Sequence, residues 1–160
     1  MLEDFLLALE TAALPMALGG SVWAYPLVNA GHILGIALLV GGIVPLDLRL
    51  LGLWNHLPLG PFLQVLRTTA AVGLGLAVAC GALLFSTAAT EYASSGLFLA
   101  KMVLVACGIL NAGLAACWLD DEHFRARDSV SLPFALRVFA LASLCLWISV
   151  LFLGRLVGYF

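Results

Sequence analysis

His32 is the residue of this sequence whose type and position most directly suggest chemistry. It is the only Asp, Glu, His, Lys or Arg between Glu10 and Asp47, and it lies within a long apolar stretch. An ionisable side chain at membrane depth is costly, so such a residue is a functional-site candidate by default. Asn29 precedes His32 by three residues, which puts both on one face of a helix. We therefore take His32 and Asn29 as the candidate binding pair.

Three kinds of binding chemistry fit this pair. Imidazole ligates haem iron, so His32 could hold a b-type haem whose second ligand comes from a second copy of the chain or from a partner protein. Imidazole also suits copper, with Met16 and Met102 as candidate soft ligands near the outer side. Third, His32 and Asn29 could hold a quinone carbonyl or relay a proton. The reading without a cofactor is a neutral histidine hydrogen-bonded between helices.

The composition identifies an integral membrane protein. Of the 160 residues, 64% are hydrophobic and 10% are charged, against about 45–50% and about 25% in a soluble domain. The formal net charge of -2 gives no reason to expect nucleic-acid binding. The four cysteines lie in apolar stretches without a C-x-x-C pair, which predicts neither a disulfide framework nor a zinc ribbon. They are Cys80, Cys107, Cys117 and Cys145.

The apolar pattern predicts an all-α fold, a four-helix up-down transmembrane bundle that forms one domain over residues 1–160. An amphipathic interfacial helix over about 2–18 precedes the spans. We expect Pro45 to end or kink the first span. Repeated small residues, such as Gly31 with Gly35 and Gly73 with Gly81, predict close helix packing; for Gly31 and Gly35 we favour packing within the chain, and a seam between two copies is the alternative. The four spans are predicted at about 25–46, 65–89, 97–119 and 133–155.

The distribution of Lys and Arg predicts an orientation. Lys101 and Arg155 are the only two near one side, and five arginines flank the first and third connections on the other. Because cytoplasmic loops are enriched in Lys and Arg, we expect a bacterial inner-membrane protein with both termini in the periplasm. His32 then lies about two turns into the first span from the outer side. The five arginines are Arg49, Arg67, Arg125, Arg127 and Arg137.

A motif in the first span carries a family resemblance. The pattern W-x-Y-P-x-x-x-x-x-H-x-L-G, followed by D-L-R-L-L-G, covers Trp23 to Gly52. It resembles a family of small, uncharacterised bacterial four-helix inner-membrane proteins, distantly similar to the membrane domain of copper-resistance protein D. The resemblance implies a second histidine near the end of the third span, where this chain has residues 115–118 as A-A-C-W. That difference argues against a two-histidine site within one chain. The resemblance marks Tyr25, Pro26, His32, Asp47, Arg49, Lys101 and Asn111, without assigning their roles.

The remaining polar residues fit structural explanations. Asp47 and Arg49 are two residues apart, so they do not face each other on a helix and either pair with other elements or lie in water. Lys101 can extend to the headgroups, and Asn111 needs a hydrogen-bond partner inside the bundle. We interpret His56 and His123 as solvated loop residues.

No enzyme signature is present, since the sequence has no P-loop, H-E-x-x-H or G-x-S-x-G motif. We therefore expect a non-catalytic membrane subunit that associates with itself or with a larger complex. Its expected role is to hold haem b through His32 and support electron transfer. Copper binding or transport is the alternative, and a purely structural subunit is the second alternative.

Overall fold

The computed structural model describes residues 1–119 and 133–159, and within these ranges it contains helices and no strand. Four of the helices, α3, α4, α6 and α7, are long and apolar enough to cross a membrane. The predicted all-α, four-helix membrane bundle preceded by a short N-terminal helix is therefore confirmed. The helices are α1 (Leu2–Glu10), α2 (Ala13–Gly19), α3 (Ala24–Leu51), α4 (Leu59–Ser86), α5 (Ala89–Ser94), α6 (Gly96–Leu119) and α7 (Phe134–Leu156).

The observed helix ends differ from the predicted ones at the prolines. Pro45 does not end the first span, because α3 continues for six residues beyond it, to Leu51. Helix packing and local adjustment compensate for a missing N–H inside a membrane bundle, which is why proline is tolerated there. The second span starts earlier than predicted, at Leu59, because Pro61 fits the first turn of a helix. The N-terminal segment forms two short helices rather than one, with Pro15 in the first turn of the second.

Two helical hairpins make up the bundle. Helix α3 packs mainly against α4, α6 packs against α7, and contacts between α3 and α7 join the two pairs. A leucine-rich cluster gathers the end of α3, the start of α4, the end of α6 and the start of α7 at one end of the bundle. The helices therefore alternate in direction, and α3 and α7 are central. Members of this cluster are Leu46, Leu50, Leu63, Leu119 and Leu136.

Glycines bring the backbones of α3 and α4 into direct contact. A Cβ at Gly73 would lie 2.3 Å from the backbone nitrogen of Leu39, and one at Gly35 would lie 2.5 Å from the backbone nitrogen of Ala77. Real Cβ contacts are never this short, so only glycine fits both positions. The predicted small-residue faces therefore pack against each other within the chain. Such close approach increases the van der Waals contact that holds helices together in lipid.

Glu10 attaches the N-terminal segment to the bundle. One of its carboxylate oxygens accepts two hydrogen bonds from Thr90, one from the backbone N–H and one from the hydroxyl, both at 2.7 Å. Because Thr90 lies in the first turn of α5, the negative charge also meets the positive end of that helix. These hydrogen bonds lower the pKa of Glu10 below its ordinary value.

We predict that Gly73→Ala destabilises the bundle by about 1–3 kcal/mol, the usual effect of overpacking. The added methyl group must push α3 and α4 apart, because its neighbours are backbone atoms. Gly75→Ala is the matched control on the same helix, since nothing lies within 4 Å of a Cβ there. Thermal unfolding in detergent measures both variants, and equal melting temperatures would contradict this account of the packing.

We predict that α1 detaches from α5 in acid. The folded-state pKa of Glu10 is lowered, so its stabilising contribution is complete above the unfolded-state pKa of about 4.5 and is lost as pH falls through the folded-state value. A nitroxide at Ala8, in a protein without native cysteines, would become mobile in the electron paramagnetic resonance spectrum over this range. Glu10→Gln should abolish the pH dependence because glutamine cannot titrate, and a pH-dependent Gln variant would contradict the assignment.

Candidate functional site

His32 lies in the contact between α3 and α4. Its ring nitrogen Nδ1 is 2.7 Å from the backbone carbonyl oxygen of Ala77. The ring packs over Gly81, where an added Cβ would lie only 3.0 Å from the imidazole Cε1. A carbonyl can only accept a hydrogen bond, so Nδ1 carries the proton and Nε2 keeps its lone pair. The arrangement fixes both the tautomer and the orientation of the ring.

The second ring nitrogen remains open. Within the described residues, Nε2 of His32 has no hydrogen-bond partner, and it is not among the fully enclosed unpartnered atoms of the bundle. His32 itself is half-buried. The thiol of Cys80 lies beside the same turn, since a Cβ at Gly31 would be 2.9 Å from its sulfur. The position thus presents one nitrogen lone pair at the edge of the α3–α4 contact, and the nearby sulfur of Cys80 lies against Gly31.

Tyr25 and Asn29 are on the exposed surface of α3, and neither side chain makes a hydrogen bond with a described residue. The role of Asn29 as a companion of His32 therefore stays a prediction. Tyr25 lies near Tyr92, which belongs to the short helix α5 outside the four spans. Burial raises the pKa of the Tyr92 hydroxyl, and the neighbouring Tyr25 and Glu91 raise it further.

Asp47 and Arg49 are both buried near the end of α3, with exposed fractions of 5% and 7%. They do not pair with each other; each contacts a different element, as their spacing predicts. Ser143 of α7 is a polar neighbour of the Asp47 carboxylate. The Oδ2 atom of Asp47 is enclosed and has no hydrogen-bond partner among the described residues.

Arg49 holds the connection between α3 and α4. Its guanidinium donates to the side-chain oxygen of Asn55 at 3.0 Å, to the backbone oxygen of Asn55 at 3.3 Å and to the backbone oxygen of Leu57 at 2.9 Å. Within this turn, Trp54 has a positive φ of 53°, which is unfavourable for a bulky side chain. Several charge-assisted hydrogen bonds from one side chain offset that strain.

Lys101 and Asn111 lie on α6, and their contacts are with residues other than His32. The Lys101 ammonium is 5.5 Å from the centre of the Phe98 ring, which is within the range of a cation–π interaction. The amide of Asn111 donates to the backbone oxygen of Phe139 on α7 at 3.1 Å. Asn111 therefore has the interhelical partner that its position requires. The residues that the family resemblance singles out therefore do not converge on one site.

Comparisons with known protein families, curated proteins and solved structures find no match to this chain. The family resemblance of the first span therefore stays a prediction.

The described residues also contain no cluster of three or more His, Cys, Asp or Glu side chains suited to hold a metal ion. Met16 and Met102 are both exposed. His56 is exposed in the α3–α4 connection, and His123 lies outside the described residues. The candidate binding site is accordingly His32 with its carbonyl partner, and it offers a single imidazole.

Sequence reasoning misses the partners of the marked residues. Any residue can supply the backbone carbonyl that Ala77 offers to His32, so no residue type reveals it. Gly81 belongs to the four-residue repeat Gly73, Ala77, Gly81, which indicates a packing face but not the ring that occupies it. Ser143 is separated from Asp47 by three helices, and only the α3–α7 contact brings the two together.

We predict that Arg49→Lys lowers the unfolding free energy by about 2 kcal/mol. A lysine cannot reproduce the forked set of hydrogen bonds to Asn55 and Leu57, and hydrogen bonds to charged groups contribute about 1.5–3 kcal/mol each. Arg137→Lys is the control, because Arg137 is exposed on α7. Thermal unfolding in detergent measures the difference, and equal losses in the two variants would show that the hydrogen bonds of Arg49 are not the cause.

Proposed function

We propose that this protein is a small non-catalytic subunit of the bacterial inner membrane that supplies one axial histidine to a b-type haem and supports electron transfer. The observation that carries the proposal is the 2.7 Å contact between Nδ1 of His32 and the Ala77 carbonyl oxygen, which leaves Nε2 without a partner among the described residues. Histidines that ligate metals nearly always donate their other ring N–H to a carbonyl, a carboxylate or water. His32 is oriented in this way by its own bundle.

The residues present fit half of a low-spin haem site. His32 supplies one imidazole, and the described residues supply no second histidine beside it. The chain would therefore share a haem with a second subunit, either another copy or a member of a larger complex. When bound, haem supplies one-electron chemistry, with a potential set by its axial ligands and surroundings. The role of this chain is to hold the imidazole in a fixed tautomer and orientation.

The proposed orientation follows from charge. Arg49, Arg67 and Arg137 lie at the end of the bundle marked by the leucine cluster, whereas Lys101 and Arg155 lie toward the other end. The positive-inside rule assigns the arginine-rich end to the cytoplasm. Both termini then lie in the periplasm. His32 is the ninth residue of α3, so it would be roughly 12 Å from the periplasmic end of that helix.

Copper binding is the second candidate, and the position of Cys80 favours it. The thiol lies across the α3–α4 contact from Gly31, the residue immediately before His32. Nitrogen and sulfur ligands together suit copper, and a thiolate in particular suits Cu(I). A purely structural role is the remaining alternative, since the bond to Ala77 also accounts for a histidine that only joins two helices.

The test is the reduced-minus-oxidised visible spectrum of protein purified from its native membrane, with a copper assay on the same sample. We expect haem b bands in the wild type, their loss in His32→Ala and their retention in the control His56→Ala. A spectrum without haem bands at full protein recovery would contradict haem binding. Copper that is lost in both His32→Ala and Cys80→Ser would then support the second candidate. Absence of both haem and copper would leave His32 as a packing residue.

A further inference from the structure

Asp47 is a buried acid that the proposed function does not use. It lies one turn before the end of α3 and is 5% exposed, and buried leucines precede it and follow it by a few residues. Its Oδ2 atom is enclosed without a hydrogen-bond partner among the described residues. Ser143 is its polar neighbour, from the facing helix α7. The carboxyl group therefore lies inside the contact between the two central helices.

No described cation forms an ion pair with this carboxyl group. Arg49, on the same helix, directs its guanidinium to Asn55 and Leu57. On α7, Arg137 is exposed, and on α4, Arg67 is half-buried and has an interaction of its own. His56 in the α3–α4 connection is exposed. Between described residues, the only ion pair joins the N-terminal ammonium of Met1 to the Asp4 carboxylate, at the opposite end of the molecule.

A buried carboxylate without a cation is strongly disfavoured, and such a group takes up a proton instead. The neutral acid carries no charge into this enclosed position, and its carbonyl oxygen can still accept a hydrogen bond from a hydroxyl group such as that of Ser143. We propose that Asp47 is a proton-binding site between α3 and α7. The carboxylate and one proton combine to the carboxylic acid, and the charge inside the helix contact changes from minus one to zero without any other reactant.

Asp47 lies near the end of the bundle where α3 meets the exposed α3–α4 connection. It is followed within ten residues by the exposed Asn55 and His56 of that connection. The site is also separate from the candidate haem ligand, since Asp47 and His32 are fifteen residues apart on one helix. That spacing corresponds to roughly 22 Å along the helix axis. The proposal therefore does not depend on whether His32 holds a cofactor.

Infrared spectroscopy of the full-length protein in lipid nanodiscs tests the site. We expect the carbonyl stretching band of a protonated carboxylic acid near neutral pH, its disappearance as pH is raised, and its absence in Asp47→Asn. Ser143→Ala should shift the band, because a hydrogen bond to the carboxyl group is lost. Glu10→Gln is the control and should leave the band unchanged, since the Glu10 carboxylate has two hydrogen bonds that stabilise its charge.

The outcomes distinguish an Asp47 carboxyl group that binds a proton from one that stays ionised inside the bundle. If Asp47 is neutral, Asp47→Asn should unfold at about the wild-type temperature, because asparagine has nearly the same shape and no charge. If Asp47→Asn does not fold, the wild-type band and its shift in Ser143→Ala still decide the question. A wild-type spectrum without the band between pH 5 and pH 8, or a band that Ser143→Ala does not move, would overturn the proposal.

Discussion

The close contact between the backbones of α3 and α4 is the constraint on which the rest of this structure depends. In lipid there is little hydrophobic force between helices, so association relies on dense packing and a few hydrogen bonds. Gly35 and Gly73 allow the two backbones to touch, and side chains at either position would separate them. The bond from His32 to the Ala77 carbonyl requires the same short distance between helix axes. The packing of α3 on α4 and the orientation of His32 therefore both require the same close approach of the two helices.

Helix α3 places the half-buried His32 and the buried Asp47 in contacts with two different helices. His32 faces α4, where it is satisfied at one nitrogen and open at the other. Asp47 faces α7, where Ser143 is its polar neighbour and no described cation balances it. A neutral histidine costs far less to bury than an ionised acid. The proposed ligand site therefore depends on the lone pair of an oriented imidazole, and the proposed proton site depends on an enclosed carboxyl group.

The sequence predicts the membrane spans well because length and apolar composition alone determine them. It also predicts that Asp47 and Arg49 do not face each other, since two positions on a helix with that spacing diverge, but it does not decide between other partners and water, and the structure buries both. Pro45 does not end α3, one of the two predicted effects, because α3 is packed by α4 and α7 and a bundle tolerates the missing N–H. The partners of His32 and Asp47 depend on which helices touch, and this is decided by side-chain fit along the whole chain rather than by any local motif.

The pairing of the helices also bears on how the protein enters the membrane. Contacts within each hairpin join neighbouring parts of the chain, so α3 with α4 can form before α6 and α7 leave the ribosome. Ser143 lies on α7, which follows the other described helices in the chain, so the contact between Asp47 and Ser143 can form only after α7 has been synthesised. The docking of α7 on α3 is therefore the step of assembly in which the charge of Asp47 matters most.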